Sequence, residues 1–157
     1  MKKLLLLVLC GGLLVLGNSC LNNSKPCTPR TVASEQATIE AYATANGYTM
    51  TQHSSGLYYQ VTSPGTGAPP SATSKVFVTY TGKLLNGTVF DQQSNSAATG
   101  WILNQLVTGW QIGLPLIGKG GSIRLIVPSS LAYGCADNGP IPGNSVLFFD
   151  ITLVDVQ

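Results

Sequence analysis

From Gly56 onward, apolar and polar positions alternate with period two, the spacing of strands that bury one face. Residues 57–61 predict the first strand, ended by Ser63-Pro64-Gly65-Thr66-Gly67 and a loop over 68–74 that contains Pro69-Pro70. Residues 75–85 predict a second strand, and Asn86-Gly87 a hairpin that returns through Thr88-Val89-Phe90-Asp91. A polar loop, 92–99, leads to a short strand at 101–103. The spacing turns helical over 109–117, predicting one helix of about three turns that stops at Gly118 and Gly120-Gly121. Two β-branched strands, 122–127 and 146–154, flank a segment rich in Gly, Pro, Asn and Ser. Many strands around one internal helix predict an α+β fold, with an antiparallel sheet wrapped on that helix.

Upstream, Ala33, Ala37, Ile39, Tyr42 and Ala43 recur near helical spacing, with Thr31 or Ser34 to cap the start and Gly47 to stop the run. A helical extension over 31–50 follows, its Ile39 and Tyr42 packing on the domain or on a second subunit, so monomer and dimer both stay open. Residues 21–30 are polar with Pro26 and Pro29, which predicts a tether over 20–30. Lys2 and Lys3 precede an apolar run through Leu16, the pattern of an export signal over 1–19. That run is shorter than the roughly 20 apolar residues a membrane-spanning helix needs. Leu16-Gly17-Asn18-Ser19-Cys20 resembles a bacterial lipobox, which implies cleavage before Cys20 and acylation of its thiol. Plain secretion with an ordinary Cys20 thiol is the alternative. The expected location is a bacterial cell envelope, lipid-anchored, facing the periplasm or on the outer membrane, with membrane contact through the lipid only.

Charge narrows the partners. The whole chain has a formal net charge of +2, but residues 20–157 hold six Lys/Arg and six Asp/Glu, so the excess belongs to the signal. Without a basic surplus a phosphate backbone gains little, which argues against nucleic acid. Beyond Cys20, Cys27 and Cys135 remain; an oxidising compartment would permit a disulfide between them, but their spacing cannot report the Cα separation it requires, and two free thiols stay open. No cysteine/histidine cluster suggests a metal, no cofactor is expected, and the lone His53 reads as a surface residue.

Several stretches line up, in order, with one family. Val78-Thr79-Tyr80-Thr81-Gly82 followed by Asn86-Gly87-Thr88-Val89-Phe90-Asp91 resembles the strand, hairpin and return of FKBP-type peptidyl-prolyl cis-trans isomerases. Val107-Thr108-Gly109-Trp110 is similar to that family's turn into its helix. Ile126-Val127-Pro128 with Ala132-Tyr133-Gly134, then Ile141-Pro142, and finally Phe148-Phe149-Asp150-Ile151-Thr152-Leu153 complete the series. The resemblance runs from about Gly56 to Gln157 and implies a domain over 54–157, a half-barrel sheet curled on one helix with an aromatic cleft between them.

By motif position the resemblance implies a catalytic set of Tyr80, Phe90, Asp91, Trp110, Tyr133 and Phe149, and substrate-binding positions at Trp101, Leu106, Val107 and Ile141. Trp110 would be the floor, Ile141 would pack over the mouth, and Asp91 would orient Tyr80 or the twisting carbonyl. Taken singly, an aromatic on a strand is usually core, as Phe148 should be, opposite Phe149. Gly82, Gly109 and Gly134 are expected at tight turns. The implied partners are proline-containing unfolded or exported polypeptides, with macrolide inhibitors as candidate ligands; an FKBP-like cleft that binds proline segments with negligible turnover is the other reading. Three positions depart from the family pattern: Trp101 where Phe is usual, the loop 135–140, and Gly143 in place of a second proline.

Overall fold

The computed structural model describes residues 27–157; the expected signal, Cys20 and the first part of the tether lie outside the described residues. Helix α1 (Val32–Ala45) precedes strands β1 (Thr51–Gln52), β2 (Tyr58–Ser63), β3 (Lys75–Leu84), β4 (Val89–Gln93) and β5 (Trp101–Ile102). Helix α2 (Thr108–Gly113) then leads to β6 (Ser122–Val127) and β7 (Leu147–Val156). Every strand pairing is antiparallel, in the order β1-β2-β6-β7-β3-β4, with β5 also on β3. This is the expected α+β arrangement, a curved sheet around a short helix.

Alternation sorts the side chains by face. Ile123, Leu125 and Val127 of β6 and Leu147, Phe149, Ile151 and Leu153 of β7 form one core with Trp110, Leu114 and Ile117. Their neighbours Ile126 and Phe148 point the other way and pack with Tyr58, Ile39 and Ala43. Helix α1 therefore covers the outer face of its own sheet, and Phe148 is core opposite Phe149. The Thr31 hydroxyl caps α1 by accepting from the Ser34 N–H at 3.2 Å, and Gly47 ends it at φ +68°. Residues 31–50 are thus a layer of the same body, with Ile39 fully buried within it.

The structure differs from expectation at several places. Helix α2 is six residues, followed by a 3-10 turn at Leu114–Leu116, because Pro115 has no N–H to continue the α-helical ladder. The β3–β4 hairpin closes through a three-residue loop: Leu84 N–H donates to Thr88 O and Gly87, at φ +90°, donates to Leu84 O, both at 2.9 Å. Of the three glycines assigned to turns, only Gly134 has positive φ, +71°. A Cβ at Gly82 would lie 2.7 Å from the Phe90 ring and 3.0 Å from Phe149, and one at Gly109 would lie 2.5 Å from Val127 Cγ1. Those two glycines let the rings meet over β3 and let α2 approach β6, which sets the width of the space between helix and sheet. The last four residues of the tether are also fastened: Cys27 is disulfide-bonded to Cys135, with Cα atoms 5.5 Å apart.

Candidate active site

Between α2 and the concave face lies a cavity of about 280 Å³ lined by Tyr80, Phe90, Asp91, Trp101, Gln105, Leu106, Val107, Trp110, Tyr133 and Phe149. That volume is near the lower end for ligand pockets. It suits one small apolar ring. Tyr80 comes from the inner face of β3, Phe90 and Asp91 from β4, Trp101 from β5, and Phe149 from β7. Trp110 rises from α2 and is only 4% exposed, which makes it the floor.

The rings meet edge to face. Trp110 stands at 5.1 Å and 84° to Tyr80 and at 5.3 Å and 86° to Phe149, while Phe90 meets Phe149 at 5.6 Å and 88°. Each contact sets a positive ring edge against a negative face, the favoured geometry for aromatic pairs. Trp101 extends the wall, 6.0 Å from Tyr80 and 6.5 Å from Trp110. The result is an apolar box whose walls hold one another in place.

Its polar groups are few. Tyr80 Oη donates to Asp91 Oδ2 at 2.5 Å. Burial first, then the Asp91 carboxylate, push the Tyr80 phenol well above its ordinary value of 10.0, and burial with the same carboxylate raises Tyr133. Both phenols are therefore neutral donors at any physiological pH. The Tyr133 hydroxyl and the Val107 N–H bond nothing among the described residues, so both are free to meet a ligand carbonyl. The indole Nε1 of Trp110 is buried and also without a protein partner.

Nine of the ten positions named from the sequence thus share one cavity; Ile141 does not. It is 5% exposed and sits in the main core, drawn in by a tight turn in which it and Asn138 exchange backbone hydrogen bonds of 3.0 and 2.9 Å. Gln105, an exposed polar residue on a 3-10 turn, lines the cavity unforeseen. Only its place beside Leu106 hinted at it. Gly143 has a local reason: its N–H, which proline lacks, donates to Asp137 Oδ1 at 2.7 Å. A Cβ there would also collide with the Cys135 carbonyl.

The sequence profile of the FKBP-type peptidyl-prolyl cis-trans isomerases matches residues 67–154, a span that holds every residue lining the cavity. The chain belongs to that family. Among curated relatives, this FKBP chain is 44% identical over 104 residues to the FKBP-type peptidyl-prolyl cis-trans isomerase FkpA of Aeromonas hydrophila, covering 66% of this chain and 39% of the relative. It is 40% identical over 115 residues to a probable FKBP-type peptidyl-prolyl cis-trans isomerase of Haemophilus influenzae, 72% of this chain and 48% of that one. The chain therefore spans less than half the length of these relatives. The crystal structure of FkpA from Escherichia coli superposes with a TM-score of 0.68 at 37% identity, over 80% of this chain and 61% of that chain. A Pseudomonas syringae peptidyl-prolyl cis-trans isomerase superposes with a TM-score of 0.66 at 27% identity, over 83% and 98% of the two chains. The FKBP fold is shared with both.

Proposed function

We propose that this cleft catalyses rotation about X-Pro bonds in exported polypeptides, and the observation that carries the reading is the closed aromatic box beside two free hydrogen-bond donors. An X-Pro amide rotates over a barrier of ~18–20 kcal/mol because resonance keeps it planar. At the twisted state that resonance is lost and the carbonyl is less charge-separated. A dry apolar site therefore favours the twisted amide over the planar one, which water solvates better. Tyr80, Phe90, Trp110 and Phe149 enclose the proline ring, with Trp101 and Leu106 extending the wall. The Tyr133 hydroxyl and the Val107 N–H hold the flanking carbonyls, the latter as a strand partner would. Asp91 fixes the Tyr80 phenol, and Ile141 supports the cleft from the core. No group in this scheme has to gain or lose a proton.

A proline-isomerisation assay on X-Pro peptides with varied X tests this. Turnover that a macrolide competitor blocks supports it; no turnover with peptide binding retained would leave the cleft a recognition surface. The scheme also predicts the alkaline limb. Because Tyr80 and Tyr133 are raised above 10.0, kcat/KM should stay level from neutral pH to about pH 10. Stability follows the same groups: the unfolded tyrosines release protons near 10, while the folded ones still hold theirs. The contribution is fully present below that pH and declines as pH rises through and beyond it. A pH series of urea midpoints reads the decline.

For location, the reading is an exported protein anchored through an acylated Cys20, and the Cys27–Cys135 disulfide supports it because such bonds persist in oxidising compartments. Incorporation of a labelled fatty acid that is lost in Cys20→Ala would sustain the anchor. Equal labelling of both proteins would refute it.

A further inference from the structure

Tyr133 lies on a loop that the N-terminal segment grips from both sides. Four residues before it, the Ser129 N–H donates to Glu35 Oε2 at 2.9 Å, and both residues are 1% exposed. Two residues after it, Cys135 is bonded to Cys27. Between these points Gly134 N–H donates to Ser129 O at 2.8 Å, and Gly134 O accepts from Asn144 N–H at 2.8 Å. The Asn144 side chain then closes onto the segment: its Oδ1 accepts from Arg30 N–H at 3.1 Å and its Nδ2 donates to Thr28 O at 3.0 Å.

Tyr133 itself is 42% exposed, and its hydroxyl bonds no described residue. Its place over the cleft is inherited from this backbone frame. A buried carboxylate costs free energy unless its hydrogen bonds repay the lost hydration. Glu35 makes one such bond, to Ser129, and its second oxygen has no protein partner. An apolar side chain there would avoid the carboxylate's cost but leave the buried Ser129 N–H unpaired, so what Glu35 adds beyond helix packing is the tie to the Tyr133 loop.

We infer that Glu35 is a positioning residue for the cleft: by capping the 3-10 turn at Ser129–Leu131 from the N-terminal helix, it sets where Tyr133 presents its hydroxyl to the substrate. The Cys27–Cys135 bridge and Asn144 hold the other end of the same frame. The inference rests on the X-Pro reading of the cleft. Its reach is specific: it concerns substrate binding through Tyr133 and leaves the aromatic box alone.

The test compares the full chain with Glu35→Ala, Glu35→Gln, Tyr133→Phe and the Glu35→Ala/Tyr133→Phe pair. Readouts are kcat and KM, and the affinity of a proline tetrapeptide from quenching of Trp101 and Trp110 fluorescence, at a temperature where all variants are folded. Glu35→Ala is expected to raise KM and the peptide Kd by about threefold to tenfold, the size of one net hydrogen bond, with kcat within about twofold. Glu35→Gln keeps an oxygen for the Ser129 N–H and should restore both. On top of Tyr133→Phe, Glu35→Ala should change KM by less than about twofold, because the two act through one contact. Asn144→Gly, which keeps the positive φ of +59° and removes both side-chain bonds, carries the same expectation should Glu35→Ala not fold.

A Glu35→Ala protein with a lowered urea midpoint but unchanged KM and peptide affinity would overturn the inference, as would full additivity with Tyr133→Phe. Absence of turnover in the unaltered chain would refute the isomerase reading alone, since peptide affinity still reports on Glu35.

Discussion

Phe149→Ala is expected to lower kcat/KM by about a hundredfold or more and to cost about 3–5 kcal/mol of stability. Both effects come from one ring. Phe149 is 3% exposed in the middle of β7, belongs to the main core, and lines the cleft between Phe90 and Trp110. Deleting it opens a hole below Gly82, where there is no side chain to collapse inward. The hundredfold loss corresponds to about 2.7 kcal/mol, within the ~1.5–3 kcal/mol of burying one apolar side chain, here the proline ring that would lose its wall. Phe149→Leu separates the roles. It keeps most of the apolar volume and should cost less than about 1.5 kcal/mol of stability, yet it lacks the flat face that meets Phe90 and Trp110. Urea unfolding and the isomerisation assay, run where each variant is folded, read the two quantities. Full turnover in Phe149→Leu would mean that the wall supplies volume only, and the aromatic geometry would lose its role.

Much of this cleft was legible because its residues fall, in order, on motifs that resemble those of the FKBP family; strand alternation by itself only separates inner from outer faces. Phe148 and Phe149 were assigned opposite faces from period two alone, and the structure places them in different clusters. Helix α1 (Val32–Ala45) was readable from its spacing, with Thr31 capping it and Gly47 just past its end. What escaped depends on contacts between distant segments. Gly82 and Gly109 look like turn glycines in sequence, but Gly82 in β3 leaves room for Phe90 and Phe149, and Gly109 in α2 leaves room for Val127 of β6. The family resemblance puts Ile141 over the mouth by motif position; the Asn138–Ile141 turn, which holds it in the core, is not visible in composition. Glu35 reads as an ordinary first-turn glutamate, and its partner Ser129 is 94 residues away.

The Cys27–Cys135 bridge is the covalent one among the long-range contacts, and its removal is the second large effect. Cys27→Ser with Cys135→Ser is expected to lose about 2–5 kcal/mol of stability. The bond joins positions 108 residues apart, so in the unfolded chain it forbids a large share of conformations. Freeing that ensemble lowers the urea midpoint and raises the m-value, because a longer open chain exposes more surface. The loss should register in one cooperative transition. Helix α1 follows Cys27 closely and buries Ile39 and Ala43 against Tyr58, Ile126 and Phe148, so it cannot leave without uncovering the sheet. An early, separate transition would show instead that residues 27–50 are held mainly by the bridge. An unchanged midpoint would mean that the unfolded chain is already restricted without the bridge, leaving the bond little to add.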